Sequence, residues 1–206
     1  MDKGILENIK DYLKEKYNCH SMILYGSFAN DTYTNESDID IICFCDNILK
    51  KNDTSVINGR QLDAWIYDTS MLTKHEELLH INGGKILLDE KNLCTKLLAN
   101  IGEVFNNGAK KLTLEEINFH KSWLMKMLNR ARKGDVEGDF RYHWMLSDSL
   151  EIYFGIKGLW YLGPKKSLYW LKENDKQAYK LFSDALNINS SFEKTEELIS
   201  FIVNSQ

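Results

Sequence analysis

An α+β fold, with a mixed sheet and flanking helices in the N-terminal half and an α-helical bundle in the C-terminal half, follows from three features of the 206-residue sequence. Short apolar or alternating runs at 21–25, 39–44, 59–67 and 85–88 are separated by turn residues, which is the pattern of strands. From about residue 90 onward apolar residues recur at intervals of three and four, the period of helices buried on one side. One proline and no Ser/Gly-rich stretch argue against a flexible linker or a disordered tail. The expected division is 1–108 for the sheet-bearing domain and 109–206 for the helical one, each long enough to bury a core.

Each element has its own signal. Ile5, Leu6, Ile9, Leu13 and Tyr17 lie at helical spacing over residues 2–17, so Met1-Asp2-Lys3-Gly4 opens an amphipathic helix rather than a signal peptide. The strand Ser21–Tyr25 runs into a Gly26-Ser27 turn, and a polar loop leads to a strand over Ile39–Phe44. Asn58-Gly59 is a turn signal. In the strand after it Leu62, Ala64 and Ile66 share one face and Asp63, Trp65 and Tyr67 the other. Residues 70–80 read as a helix ended by Asn82-Gly83-Gly84, and Lys85–Leu88 as another strand.

In the second half, Thr113 with Glu116 forms a capping box ahead of a helix over 114–133, whose stripe is Ile117, Leu124, Met127, Leu128 and Ala131. Gly134 ends it. A second long helix spans 138–157, and helices follow near 165–172, 175–186 and 191–203. No internal repeat interrupts this half, which reads as one bundle.

Two aspartates one residue apart, Asp38 and Asp40, open the second strand and point to the same side of it, while Ile39 points into the core. Paired carboxylates repel unless a cation lies between them, and a hard divalent ion with oxygen ligands is the usual solution. Gly26 lets the backbone turn and approach a ligand closely, and Ser27 can offer its hydroxyl and amide to phosphate oxygens. If the strand carrying Asp63 pairs beside 39–44, Asp63 reaches the same ion. Two metals on three carboxylates would bind a triphosphate, lower the pKa of an attacking hydroxyl and stabilise leaving pyrophosphate.

The Gly26-Ser27 turn, Ser37-Asp38-Ile39-Asp40 and Asp63 together resemble the signature of the nucleotidyltransferase superfamily typified by DNA polymerase beta, in its small bacterial form. The resemblance covers roughly residues 20–90. It implies two magnesium ions carried by Asp38, Asp40 and Asp63, a nucleoside triphosphate donor, and Gly26 and Ser27 on its phosphates.

In the helical half, Arg141, Trp144, Asp148 and Glu151 fall on one stripe, a charged and aromatic cleft wall or a solvated face with Arg141 pairing the carboxylates. The run Glu151–Trp160 resembles the helical substrate-side domain of small antibiotic nucleotidyltransferases, whose general base is a glutamate on such a helix. That resemblance assigns the base to Glu151.

Other signals read as structure. Pro164 stands where a phosphate loop needs Lys, so Gly158 to Gly163 is a corner between helices. His120 falls on a core or boundary position, and His75 and His80 lack the spacing and third ligand of a metal site. The aromatics over 142–170 are mostly packing. Cys19, Cys43 and Cys45 suit reduced, packed thiols of a cytoplasmic protein.

No apolar run approaches a membrane span, and a net charge of −4 argues against a polynucleotide acceptor. The expected acceptor is instead a small molecule such as an aminoglycoside or lincosamide-like antibiotic, whose cationic groups suit an acidic cleft; the enzyme would then confer antibiotic resistance. The rivals are an antitoxin-like protein adenylyltransferase and a non-catalytic nucleotide-binding module, the latter having no need of Asp63. Preferred base and oligomeric state are left open, a homodimer included.

Overall fold

The computed structural model describes residues 3–205, so the expected helix start at Met1 and Asp2 lies outside the described residues. The chain forms two compact units, Met1–Asn107 and Gly108–Gln206. The first contains α1 (Lys3–Tyr17), β1 (Ser21–Tyr25), α2 (Gly26–Ala29), β2 (Ile39–Cys45), β3 (Lys51–Asp53), β4 (Val56–Ile57), β5 (Arg60–Asp68), β6 (Lys85–Asp89) and α3 (Leu93–Asn106). Its sheet has the order β3-β5-β2-β1-β6, with β4 paired to β5. Only β2 and β5 run parallel; the other pairs are antiparallel.

Periodicity explains which side of each element is covered. Leu6, Ile9 and Leu13 of α1 join Met22, Leu24, Ile39, Ile41, Cys43, Leu62, Ala64 and Ile66 in one buried cluster, the alternate residues of three strands. The intervening Ile23, Ile42 and Phe44 are fully buried as well, and α3 packs against β1. A parallel pair needs a crossover of a dozen residues or more. Here that connection holds β3 and the β4–β5 hairpin, which turns on Asn58 and Gly59, both with positive φ (51° and 77°), the backbone that a two-residue hairpin demands.

Two expectations are corrected. The Gly26-Ser27 turn is the start of a single helical turn, α2. Residues 70–80 form no α-helix but two 3₁₀ turns, Thr69–Thr73 and Glu76–Ile81. In the second, Leu78, Leu79 and Ile81 are all buried, and a threefold period sets Leu78 and Ile81 in line on one side where 3.6 residues per turn would splay them.

The second unit holds α4 (Leu114–Ala131), α5 (Val136–Ile156), α6 (Pro164–Asn174), α7 (Lys176–Ala185) and α8 (Phe192–Asn204). The capping box at Thr113 and Glu116 is formed, and Gly134, at φ 65°, follows the end of α4. Leu124, Leu128, Met145, Tyr153, Phe154, Phe182 and Ile199 belong to its core. Tyr153 donates to Asp175 at 2.7 Å, and Tyr142 and Thr195 share a hydrogen bond of 3.0 Å, whereas the buried Ser167 hydroxyl of α6 has no partner among the described residues. No helix among the described residues is long and apolar enough to cross a membrane.

Candidate functional site

Strand register builds the acidic centre. Tyr25 on β1 lies across from Asp40 on β2, and Asp40 lies across from Asp63 on β5, so a phenol and two carboxylates form one row over three strands. The parallel pairing of β2 with β5 brings Asp63, remote in sequence, beside Asp40. The row carries concentrated negative charge: burial first, then the charges of Asp40 and Asp63, push the Tyr25 phenol far above its ordinary range. His80 meets the Tyr25 ring edge-on at 5.3 Å.

Gly26 is required here on two counts. Its φ of 68° is left-handed, and a Cβ built on it would lie 2.1 Å from Asp40 Oδ2. The backbone after β1 therefore runs directly against the carboxylate, a close approach that no side chain permits. Ser27 follows within α2 and is 8% exposed, its carbonyl accepting from the Thr32 amide at 3.0 Å.

Asp38 is exposed on the loop one residue ahead of β2. Two side chains that carry no local sequence signal position this region. Arg60 Nη1 donates to the carbonyls of Thr34 and Asn35 at 3.1 and 2.6 Å, tying the Asp38 loop to the start of β5. Asn52, on the short polar edge strand β3, donates from Nδ2 to Asp63 Oδ1 at 2.5 Å. Neither residue is apolar or part of a spacing motif, so only the pairing of β3 with β5, for Asn52, and the approach of the loop to β5, for Arg60, reveal them.

Among the described residues, no three His, Cys, Asp or Glu side chains form a group able to hold a metal ion. The sheet assembles Asp40 and Asp63 as a pair, with Asp38 on the loop leading in. Carboxylate oxygens are the donors a hard divalent cation takes, so Asp40 and Asp63, with Asp38 on the loop, are the residues that could hold one.

Glu151 belongs to the helical unit, exposed on α5. It lines a groove of about 400 Å³ with Phe119, His120, Trp123, Trp144 and Asp148. Trp123 and Trp144 meet edge to face at 5.5 Å. Arg141 pairs with Glu137 at 3.2 Å and lies over the Trp144 ring at 5.4 Å, which corrects the reading that it neutralises Asp148 and Glu151. Burial, then the charges of Glu151 and Asp148, raise the pKa of the Tyr161 phenol.

The family described as polymerase beta, nucleotidyltransferase matches residues 7–103, the span that holds the whole carboxylate row. A nucleotidyltransferase-like protein from Exiguobacterium sibiricum 255-15 is similar in structure, with 12% identity over 97% of this chain and 72% of that one and a TM-score of 0.48. No curated protein matches the chain. The N-terminal unit is thus similar, over residues 7–103, to the nucleotidyltransferase family, and Gly26, Asp40 and Asp63 all fall within that span.

Proposed function

We propose that this protein is a magnesium-dependent nucleotidyltransferase that moves a nucleoside monophosphate, AMP from ATP, to a hydroxyl of a small-molecule acceptor in the cytoplasm. The observation that carries the reading is the register of Asp40 with Asp63 beside a glycine that no other residue can replace. Asp38 and Asp40 would hold two ions and Asp63 the one nearer the acceptor. Magnesium bound there would supply positive charge to the triphosphate and acidify the acceptor hydroxyl. Gly26 and Ser27 would carry the phosphates, the bare Gly26 backbone allowing them close to Asp40. Asn52 would keep Asp63 turned toward its task through the hydrogen bond at Oδ1. Glu151 would take the hydroxyl proton as the oxygen attacks the α-phosphorus and pyrophosphate departs. The aromatic and acidic groove around Glu151 favours an acceptor with a cationic, ring-bearing skeleton, as in aminoglycosides and lincosamides.

The direct test is pyrophosphate release from ATP, GTP, CTP and UTP against a panel of aminoglycosides, lincosamides and proteins. Release that needs magnesium, prefers ATP and disappears in Asp40→Asn supports the reading; transfer undiminished in that variant refutes it. Glu151→Gln keeps size and hydrogen bonding but cannot take a proton, so turnover should fall roughly 10²- to 10⁴-fold with triphosphate binding unchanged. Near-normal turnover, with only a lower melting temperature, would return the base to another residue.

A further inference from the structure

The chain's net charge hides an uneven distribution. Residues 108–206 carry 15 Lys and Arg against 13 Asp and Glu, whereas residues 1–107 carry 11 against 17. Within the helical unit the excess is local. From Ile117 to Gly134 there are five Lys and Arg and no Asp or Glu, because both acids of α4 are spent in its first turn. Lys126, Arg130 and Lys133 follow at i, i+4 and i+7, one side of a helix, where like charges repel. Among the described residues no carboxylate lies within ion-pair distance of these three, although Arg132 beside them pairs with Glu196 at 2.7 Å. Cations in the last turn complement the helix C-terminus, which accounts for Arg130 and Lys133. It does not account for Lys121 and Lys126 farther back.

These cations line a groove of about 650 Å³ that runs along α4 to Val203 of α8. Lys121, Ser122, Lys126, Asn129, Arg130 and Lys133 form its polar wall, and Met125 and Val203 its apolar part. Lys121 is anchored by donating to the Ser205 carbonyl at 2.6 Å. Donors predominate on this wall, which suits a ligand rich in acceptors. A peptide would bring backbone N–H groups that only Ser122 and Asn129 could accept. A bilayer would need a broad apolar face beside the cations, and here only Met125 and Val203 are apolar. The cations from Lys126 to Lys133 span about 10 Å along the axis, farther than one phosphate reaches and commensurate with consecutive phosphates of a strand.

We propose that the α4 groove binds a single strand of nucleic acid through its phosphates, a second binding site independent of the acceptor chemistry. Each neutralised phosphate releases counterions, so three or four contacts give log K against log salt a slope of about −2 to −3 for a single strand.

The test is fluorescence anisotropy of a labelled single-stranded RNA of about 20 nucleotides with the full chain across a salt series. Expected are binding at low salt with that slope, a loss of at least tenfold in Lys126→Glu/Arg130→Glu and in Lys126→Gln/Arg130→Gln, and unchanged binding in Lys172→Glu, an exposed charge reversal elsewhere in the unit. Circular dichroism confirms that each variant keeps its helices. The proposal is overturned by absence of binding at low salt, or by equal binding in the folded double variants. Competition by inorganic phosphate or pyrophosphate as effective as unlabelled RNA overturns it in favour of a single-phosphate pocket, and equal competition by polyglutamate in favour of an indiscriminate anion surface.

Discussion

Asp53 shows how one buried charge can tie a helix to a sheet. It is 4% exposed, and it accepts from Tyr12 and Tyr17 hydroxyls at 3.1 and 2.9 Å, Lys16 Nζ at 2.9 Å and the Ser55 amide at 3.0 Å. Burial acts to raise its pKa, but hydrogen bonds from Ser55, Lys16 and Tyr17 outweigh burial and hold it well below the usual carboxylate range. With the folded value below an unfolded value of about 3.9, the stabilisation is complete above that pH and is lost as pH falls toward the folded value. Asp53→Ala removes the acceptor of four hydrogen bonds and should cost about 2–3 kcal/mol in denaturant melts at neutral pH and flatten the acid limb of stability. An unchanged acid limb would mean that Asp53 is not the linked group. Gly26→Ala makes a different demand on the fold: it forces a Cβ into Asp40 at a left-handed φ, whose backbone term alone is about 1–2 kcal/mol. Triphosphate binding should be lost together with thermal stability, and a normal melt with full binding would show that the loop shifts freely.

Elements differ in how openly their sequences declare them. Capping is local chemistry, so the start of α4 is legible from Thr113 and Glu116 alone, and the structure forms both halves of the box. Thr113→Ala removes the acceptor for the Glu116 amide, now at 3.2 Å, and should lower stability by about 1 kcal/mol while transfer per folded molecule is unchanged. A variant as stable as wild type would show that Glu116 or water satisfies that end alone. The strands β3 and β4, by contrast, are three and two residues long and mostly polar, with too little alternation to be read. They exist because β5 offers its edge. The 3₁₀ turns were legible as helical but not as 3₁₀, since the choice of period depends on the surface that Leu78 and Ile81 must meet.

At the scale of the molecule, the two units have separate cores and separate built-in reporters. All four cysteines, buried and reduced, belong to the first unit, and four of the five tryptophans, Trp123, Trp144, Trp160 and Trp170, to the second. Hydrogen bonding to a neighbouring thiol and then burial push the Cys19 and Cys45 thiols upward in pKa, and burial pushes up Cys94, which with their enclosure makes them inert while folded. Urea titrations followed by thiol labelling and by tryptophan fluorescence should therefore give two midpoints, as separately folding domains at 1–108 and 109–206 require. Coincident curves would show that the units unfold together.

The sequence by itself determined the α+β class, the strand bearing Asp40, the strand bearing Asp63, the cap of α4 and the order of the helices, because alternation, helical period and capping act over a few residues. It also singled out Asp38, Asp40, Asp63, Gly26 and Ser27 by their spacing as candidate site residues. Tertiary structure alone decided that Asp40 and Asp63 share a register, that Gly26 abuts Asp40, and that Arg60 and Asn52 hold the Asp38 loop and Asp63. It also decided that Arg141 turns to Glu137 and that an acid-free stretch of α4 becomes one wall of a groove. Those outcomes depend on which strands and helices become neighbours, a choice made by burial of the whole core and not by any short run of residues.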